Sequence, residues 1–217
     1  MQYLPLSCQS IDTLLEGGIE EKIITEIHGE SGTGKTNLCL QAARECALTG
    51  KKVAFIDSEG VSLQRLHQIS TGCDQEIILK NILFFSPTSQ EEQEKMICNA
   101  IKIKEVKLII VDTLNLFYRL QLEEDKEQMM RSLSRQIAVL QRAAREKNLF
   151  VIVTEQVFTD KNGCIKPFTN RDVEHLVKTV LKIEKTGIGK RQIMIIKHRS
   201  QPEAKTAEFT ISSTGIT

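Results

Sequence analysis

Five short runs along the chain are almost wholly apolar: KIITEIHG (Lys22–Gly29), KVAFIDSE (Lys52–Glu59), ILFFSP (Ile82–Pro87), LIIVDT (Leu108–Thr113) and FVIVTEQV (Phe150–Val157). A strand with one face in water alternates apolar and polar residues, whereas a strand covered on both faces does not. These β-branched-rich runs therefore predict buried strands. Helical spacing recurs between them. Ile97, Ala100, Ile101 and Lys104 fall on one face, and Met130, Leu133, Ile137, Leu140 and Ala144 form a second stripe with charged residues around the back. Strand alternating with helix predicts a parallel sheet covered on both faces. After Leu176 the helices stop, and VKTVLKIEKT, RQIMIIKHR and AEFTIS read as strands, with Gly187–Gly189 as a hairpin turn between the first two. The expected fold is a single α/β domain over residues 1–217: a twisted, mostly parallel sheet with helices on both faces and a C-terminal antiparallel extension.

Composition narrows the setting. Of 217 residues, 41% are hydrophobic and 26% charged, ordinary for a globular protein that buries a core. No apolar run approaches the roughly 18 residues of a membrane span, and the start, MQYLPLSCQS, lacks the charged and apolar regions of a secretory signal. The six cysteines are scattered without a C-x-x-C pair, which points to reduced thiols in the cytoplasm. The net charge of +1 conceals an asymmetry. Residues 1–160 carry 18 basic and 23 acidic side chains (−5), whereas residues 161–205 carry 11 basic and 4 acidic (+7). A basic C-terminal third suits a polyanion-binding face, and it suits equally a set of solvated lysines on amphipathic strands.

The chemistry concentrates in TEIHGESGTGKTNLCL. Gly29, Glu30, Ser31, Gly32, Thr33, Gly34, Lys35, Thr36 and Asn37 form a phosphate-binding loop between an apolar strand and a helix-forming run. Backbone N–H groups and the helix N-terminus would cradle phosphate oxygens. Lys35 would reach the β- and γ-phosphates, and the Thr36 hydroxyl would bind Mg²⁺. LIIVD delivers Asp112 to the carboxyl edge of the sheet, where it could hold the same ion. FIDSEG places Asp57 and Glu59 at the next strand end, either to activate a water or to cap a helix. Gln156, ending VTEQ, is placed to sense a γ-phosphate.

Four segments in order, LLEGGIEEKIITEIHGESGTGKTNL, FIDSEGVSLQRL, LIIVDTLNLFYR and VIVTEQV, resemble the ATPase core of the RecA/RadA strand-exchange recombinases, in the form of a short archaeal paralogue. The resemblance covers nearly the whole chain and implies a RecA-like core binding ATP and Mg²⁺. Catalysis would fall to Glu59, Lys35 and Gln156, with Thr36 and Asp112 on the metal. By the same resemblance Gln156 links the γ-phosphate to a second DNA-binding loop, and Arg119 stands at the root of the first. Lys161, Lys166 and Arg171 would touch DNA, and Phe158 and Phe168 would either stack on bases or tuck the loop onto the body.

Departures from the family pattern are equally informative. Only 28 residues precede Gly29, so the N-terminal helix-hairpin-helix domain of the recombinases is not expected, and no F-x-x-A polymerisation motif is present. Loop 1, LQLEEDKEQMM, is acidic and lacks glycine; loop 2, between Gln156 and His175, is short. Filament formation and strand exchange are therefore not expected. Where the family has Asp-Ser-Pro, this chain has Lys197, His198 and Arg199. Residues two apart on a strand face the same side, so Lys197 and Arg199 would project together, either as a finger pair on a neighbouring subunit's γ-phosphate, similar to KaiC-like ATPases, or onto DNA phosphates.

Two functions follow. One is an ATP- and DNA-binding accessory protein of homologous recombination and repair that modulates a RadA-type recombinase on single-stranded DNA. It would hydrolyse ATP weakly and exist as a homodimer or an ATP-dependent oligomer. The other is a KaiC-like ring-forming signalling or motor ATPase.

Overall fold

The computed structural model describes residues 2–120, 126–159, 165–167 and 175–217. The proposed DNA contacts Lys161, Arg171 and Phe168 lie outside these residues, as do residues 121–125 of loop 1. Lys166 and Phe158 are described in backbone only.

The chain opens with β1 (Tyr3–Leu4), α1 (Gln9–Leu14) and β2 (Ile19–Glu20), the two strands pairing antiparallel. The body then runs β3 (Ile24–Gly29), α2 (Lys35–Leu48), β4 (Lys52–Asp57), α3 (Leu63–Ile69), α4 (Gln75–Asn81), β5 (Ile82–Phe85), α5 (Gln90–Lys102) and β6 (Val106–Asp112). It continues with α6 (Leu116–Leu120), α7 (Lys126–Lys147), β7 (Phe150–Thr159), β8 (Ile165–Pro167), β9 (Thr179–Lys185), β10 (Lys190–Lys197), β11 (Thr206–Ser212) and β12 (Gly215–Ile216). The main sheet has the order β12-β11-β10-β9-β3-β7-β6-β4-β5, with β8 beside β7. From β5 to β9 the pairing is parallel, and from β9 to β12 it is antiparallel. The fold is thus the expected α/β sheet with an antiparallel extension.

Period-two geometry explains the largely apolar runs. Val53, Phe55, Leu108 and Ile110 face a core shared with α1 to α4, whereas Ala54, Ile56, Ile109 and Val111 face a second core under α5 and α7. Two stripe assignments need adjustment. Met129 is buried while Met130 is only partly so, and α5 ends at Lys102, leaving Lys104 off the helix and Ile101 half-buried. Helices α3 and α4 were not expected, because each is only 7 residues long. Their start signals were nevertheless present: Ser62 accepts from the Arg65 N–H and Asp74 from the Ile77 N–H.

The five described cysteines are free, and burial raises the Cys46 thiol to about 12. No helix among the described residues is long and apolar enough to cross a membrane.

Gln41, inside α2, ties both ends of the chain to the core. Its amide nitrogen donates to the carbonyls of Leu6 (2.6 Å) and Ile216 (3.1 Å), and its oxygen accepts from the Ile216 N–H (2.9 Å). Replacing Gln41 with Ala would strand buried backbone groups at both segments. It should cost about 2–4 kcal/mol, measured by urea denaturation.

Candidate nucleotide site at the carboxyl edge of the sheet

The carboxyl ends of β3, β4, β6 and β7 converge where the strand order departs from sequence order, the usual crevice of an open α/β sheet. The loop from Gly29 to Gly34 passes through this crevice and runs into α2. Backbone geometry dictates its glycines. Gly34 has φ of 106°, and a Cβ on Gly29 would lie 2.4 Å from the Ile183 carbonyl oxygen. Lys35 is buried, and its ammonium donates to the carbonyls of Gly29 (2.8 Å) and Glu30 (2.9 Å). Burial lowers its pKa, against the opposing pull of Asp112 and Glu59.

Asp112 ends β6 at 1% exposure. Its Oδ1 accepts from the Thr154 hydroxyl, whereas Oδ2 accepts no hydrogen bond from the described residues. Burial raises its pKa, and the nearby Thr154 and Thr36 hydroxyls pull it back down. A buried carboxylate oxygen left unpaired costs free energy, and a divalent cation beside Thr36 would satisfy it. No group of three or more acidic, His or Cys side chains among the described residues could cage a metal. One carboxylate and one hydroxyl suit Mg²⁺ that keeps waters and takes the rest of its shell from phosphates. The donor set fits Mg²⁺ with a nucleoside triphosphate.

Asp57 caps the turn that follows β4. Its oxygens accept from the N–H groups of Glu59 (3.2 Å), Gly60 (2.8 Å) and Val61 (2.6 Å), turning the chain sharply after β4. That turn carries Glu59 back over the end of β6, where its Oε1 accepts from Thr113 Oγ1 (2.6 Å) and Gln156 Nε2 (2.5 Å). The Gln156 oxygen in turn accepts from Arg119. Glu59, Gln156 and Arg119, far apart in sequence, therefore form one connected chain of side chains beside Lys35 and Asp112.

Other expected residues have different roles. Asn37 does not face the phosphate loop alone: its Oδ1 accepts from Arg65 Nε (2.5 Å), while the same guanidinium donates to the carbonyls of Ser212 (2.8 Å) and Ser213 (3.0 Å). Arg65 thereby links α2, α3 and the β11–β12 turn. Lys185 and Arg191 of the β9–β10 hairpin donate to the Ser31 (2.9 Å) and Gly32 (3.3 Å) carbonyls of the loop. Thr113, Arg65, Lys185 and Arg191 carry no local motif, so only their neighbours in space reveal them. Lys197 and Arg199 do not share a strand face: β10 bulges after Ile195 and ends at Lys197. Lys197 donates to the Val177 carbonyl (2.9 Å), and Arg199 is ion-paired with the buried Glu20 carboxylate (2.9 Å). Because β10 runs antiparallel to β9, both sit at the edge of the sheet opposite the phosphate loop.

A family model described as Rad51 matches residues 3–217. Among curated relatives, a "DNA repair and recombination protein RadB" of Methanococcoides burtonii is 43% identical, covering 99% of this chain and 97% of its own length. One of the same description from Archaeoglobus fulgidus is 36% identical over 98% of this chain and 97% of its own. A solved structure described as the RadB recombinase superposes with a TM-score of 0.87 at 34% identity, covering 98% of both chains.

Asp112→Asn removes a buried charge while keeping the shape of the side chain. The ligand-free variant should gain about 1 kcal/mol of stability, a rise in Tm of roughly 2–4 °C by calorimetry. It should also lose most of the upward Tm shift that Mg²⁺ and ATP together confer on the parent.

Proposed function

The chain belongs to the Rad51 family, and on that premise we propose that it is an ATP-binding, DNA-binding accessory protein of recombination and repair. It acts in the cytoplasm, modulates a RadA-type recombinase on single-stranded DNA, and hydrolyses ATP slowly. The observation that carries the nucleotide part is the buried Lys35 ammonium folded onto its own loop carbonyls beside the unpaired Asp112 oxygen. Both groups are held ready for partners that a Mg²⁺-bound triphosphate supplies. The relatives' printed descriptions support the recombination part.

In this reading Lys35 exchanges the Gly29 and Glu30 carbonyls for β- and γ-phosphate oxygens. Thr36 and Asp112 would hold Mg²⁺, which would supply positive charge to a bound triphosphate. Glu59, exposed and fixed through Oε1 by two donors, turns its second oxygen to an attacking water and takes its proton. DNA meets the basic residues of the C-terminal third. The ring-ATPase alternative drew on Lys197 and Arg199 projecting as a pair and on the missing polymerisation motif; the separate intramolecular partners of the two side chains weigh against the first of these grounds.

The test is steady-state ATP turnover with and without oligodeoxythymidylate, alongside direct nucleotide binding. Turnover should stay below about 1 s⁻¹, under the enzyme median near 10 s⁻¹, while DNA affinity responds to ATP. Glu59→Gln should keep ATP binding and lose at least about tenfold in rate, whereas Lys35→Ala should abolish binding. Fast turnover indifferent to DNA would favour the ring, and a Lys35→Ala protein that binds ATP normally would refute the assigned site.

A further inference from the structure

Asp57 and Asp112 lie opposite one another in the register of β4 and β6, so the next residues, Ser58 and Thr113, meet across the two strand ends. The Ser58 hydroxyl accepts from the Thr113 N–H (2.8 Å) and donates to the Thr113 carbonyl (2.9 Å). The Ser58 N–H donates to the Asp112 carbonyl (2.9 Å). One side chain thus satisfies both backbone groups of Thr113, a residue 1% exposed, and fixes where its own hydroxyl points. That hydroxyl carries one proton and stands near two carboxylates, 2.6 Å from Glu59 Oε1 and 3.5 Å from Asp112 Oδ1. Asp112 Oδ1 already accepts from the Thr154 hydroxyl, whose oxygen is 3.3 Å from that of Thr113. Distance and prior occupation both commit the Thr113 proton to Glu59.

We propose that Thr113 is a positioning residue for Glu59: it sets the direction of the carboxylate before any substrate arrives, and Ser58 in turn sets Thr113. This rests on the ATPase reading above. Glu59 is exposed, and a free glutamate side chain there would sample many rotamers. Gln156 also donates to Oε1 (2.5 Å), but from a longer side chain that is only half-buried. Thr113 supplies the short, buried and charge-assisted bond that holds this oxygen in one place. With Oε1 held, the other oxygen is aimed, and the cost of ordering the carboxylate is met on folding instead of at each turnover. The side-chain partners of Thr113 lie outside the phosphate loop, so the interaction serves rate and not affinity for ATP.

The experiment compares steady-state ATP kinetics of the parent, Thr113→Val, Thr113→Ser, Glu59→Gln and the double variant of Thr113→Val with Glu59→Gln. Thr113→Val keeps the shape and loses the donor. Its kcat should fall about tenfold, the rate equivalent of one hydrogen bond to a charged group, while KM for ATP stays within about twofold. Thr113→Ser keeps the donor and should hold kcat within about threefold of the parent. In the Glu59→Gln background Thr113→Val should change kcat by less than about twofold, since Thr113 acts through Glu59. An unchanged kcat in Thr113→Val, a rise in KM in place of a fall in kcat, failed rescue by serine, or effects that multiply with Glu59→Gln each overturn the proposal. Should Thr113→Val fail to fold by circular dichroism, Ser58→Ala carries the test. It releases the Thr113 backbone, and should lower kcat by less at unchanged KM; a parental kcat in Ser58→Ala then overturns the proposal. A parent protein that neither binds nor hydrolyses ATP overturns the proposed function and this role together. A parent that turns ATP over, with a Thr113→Val variant that does so equally, overturns the role of Thr113 alone.

Discussion

An ammonium and a carboxylate, Lys35 and Asp112, are both withdrawn from water at the carboxyl edge of the sheet, and neither finds the other as a direct partner. Burying two charges in this way opposes folding, since desolvation disfavours the charged form of each. The rest of the architecture bears that cost: two apolar cores, one on each face of a wide sheet, supply the stability that allows an unsatisfied edge to persist. The glycines of the loop bring backbone within reach of the ammonium, and hydroxyls of Thr36 and Thr154 moderate the carboxylate. A ligand that is anionic on one side and carries a divalent cation on the other relieves both strains together.

Around this pair the sheet order acts as an assembly jig. Asp57 and Asp112 sit side by side in register on β4 and β6, and Gly29 sits beside Gln156 on β3 and β7. Similar carboxylates at equivalent strand ends have opposite uses. Asp57 spends its oxygens on three backbone N–H groups and shapes the turn that presents Glu59, whereas Asp112 keeps one oxygen unspent. The antiparallel extension also reaches the site, because Lys185 and Arg191 brace the outer side of the phosphate loop and Arg65 joins the C-terminal turn to α2. The basic C-terminal third therefore includes residues that hold the loop in shape, in addition to those exposed to solvent.

Periodicity and local motif determined much of this protein from its sequence alone. Largely apolar runs identify strands covered on both faces because a buried polar side chain is tolerated there only where it finds a partner, as Glu26 and His28 do in β3. The G-x-x-x-x-G-K-T spacing predicts a tight loop running into a helix, where the backbone at Gly29 and Gly34 does call for glycine, and an apolar run ending in Asp112 predicts the carboxylate that the sheet sets beside it. Each signal is carried by neighbours in the chain, so no knowledge of distant contacts is required. Short elements such as α3, α4 and the two-residue strands escaped, as one or two turns leave too few positions for a period to register.

What only the tertiary structure decided are the pairings between segments remote in sequence. From the residues alone Asp57 and Glu59 were both candidate bases, and only the family resemblance preferred Glu59; hydrogen bonds engage Asp57 in the turn and Glu59 with Gln156. Asn37 belongs to the phosphate-loop motif, yet the direction of Arg65, 28 residues away, engages its side chain. The expected alignment of Lys197 with Arg199 assumed an unbroken strand, and a bulge with the strand end at Lys197 separated them. The physical reason is common to all of these cases. A side chain's role follows from which donors and acceptors surround it, and that set is fixed by strand order and helix packing, which depend on the burial of the whole chain rather than on any local run of residues.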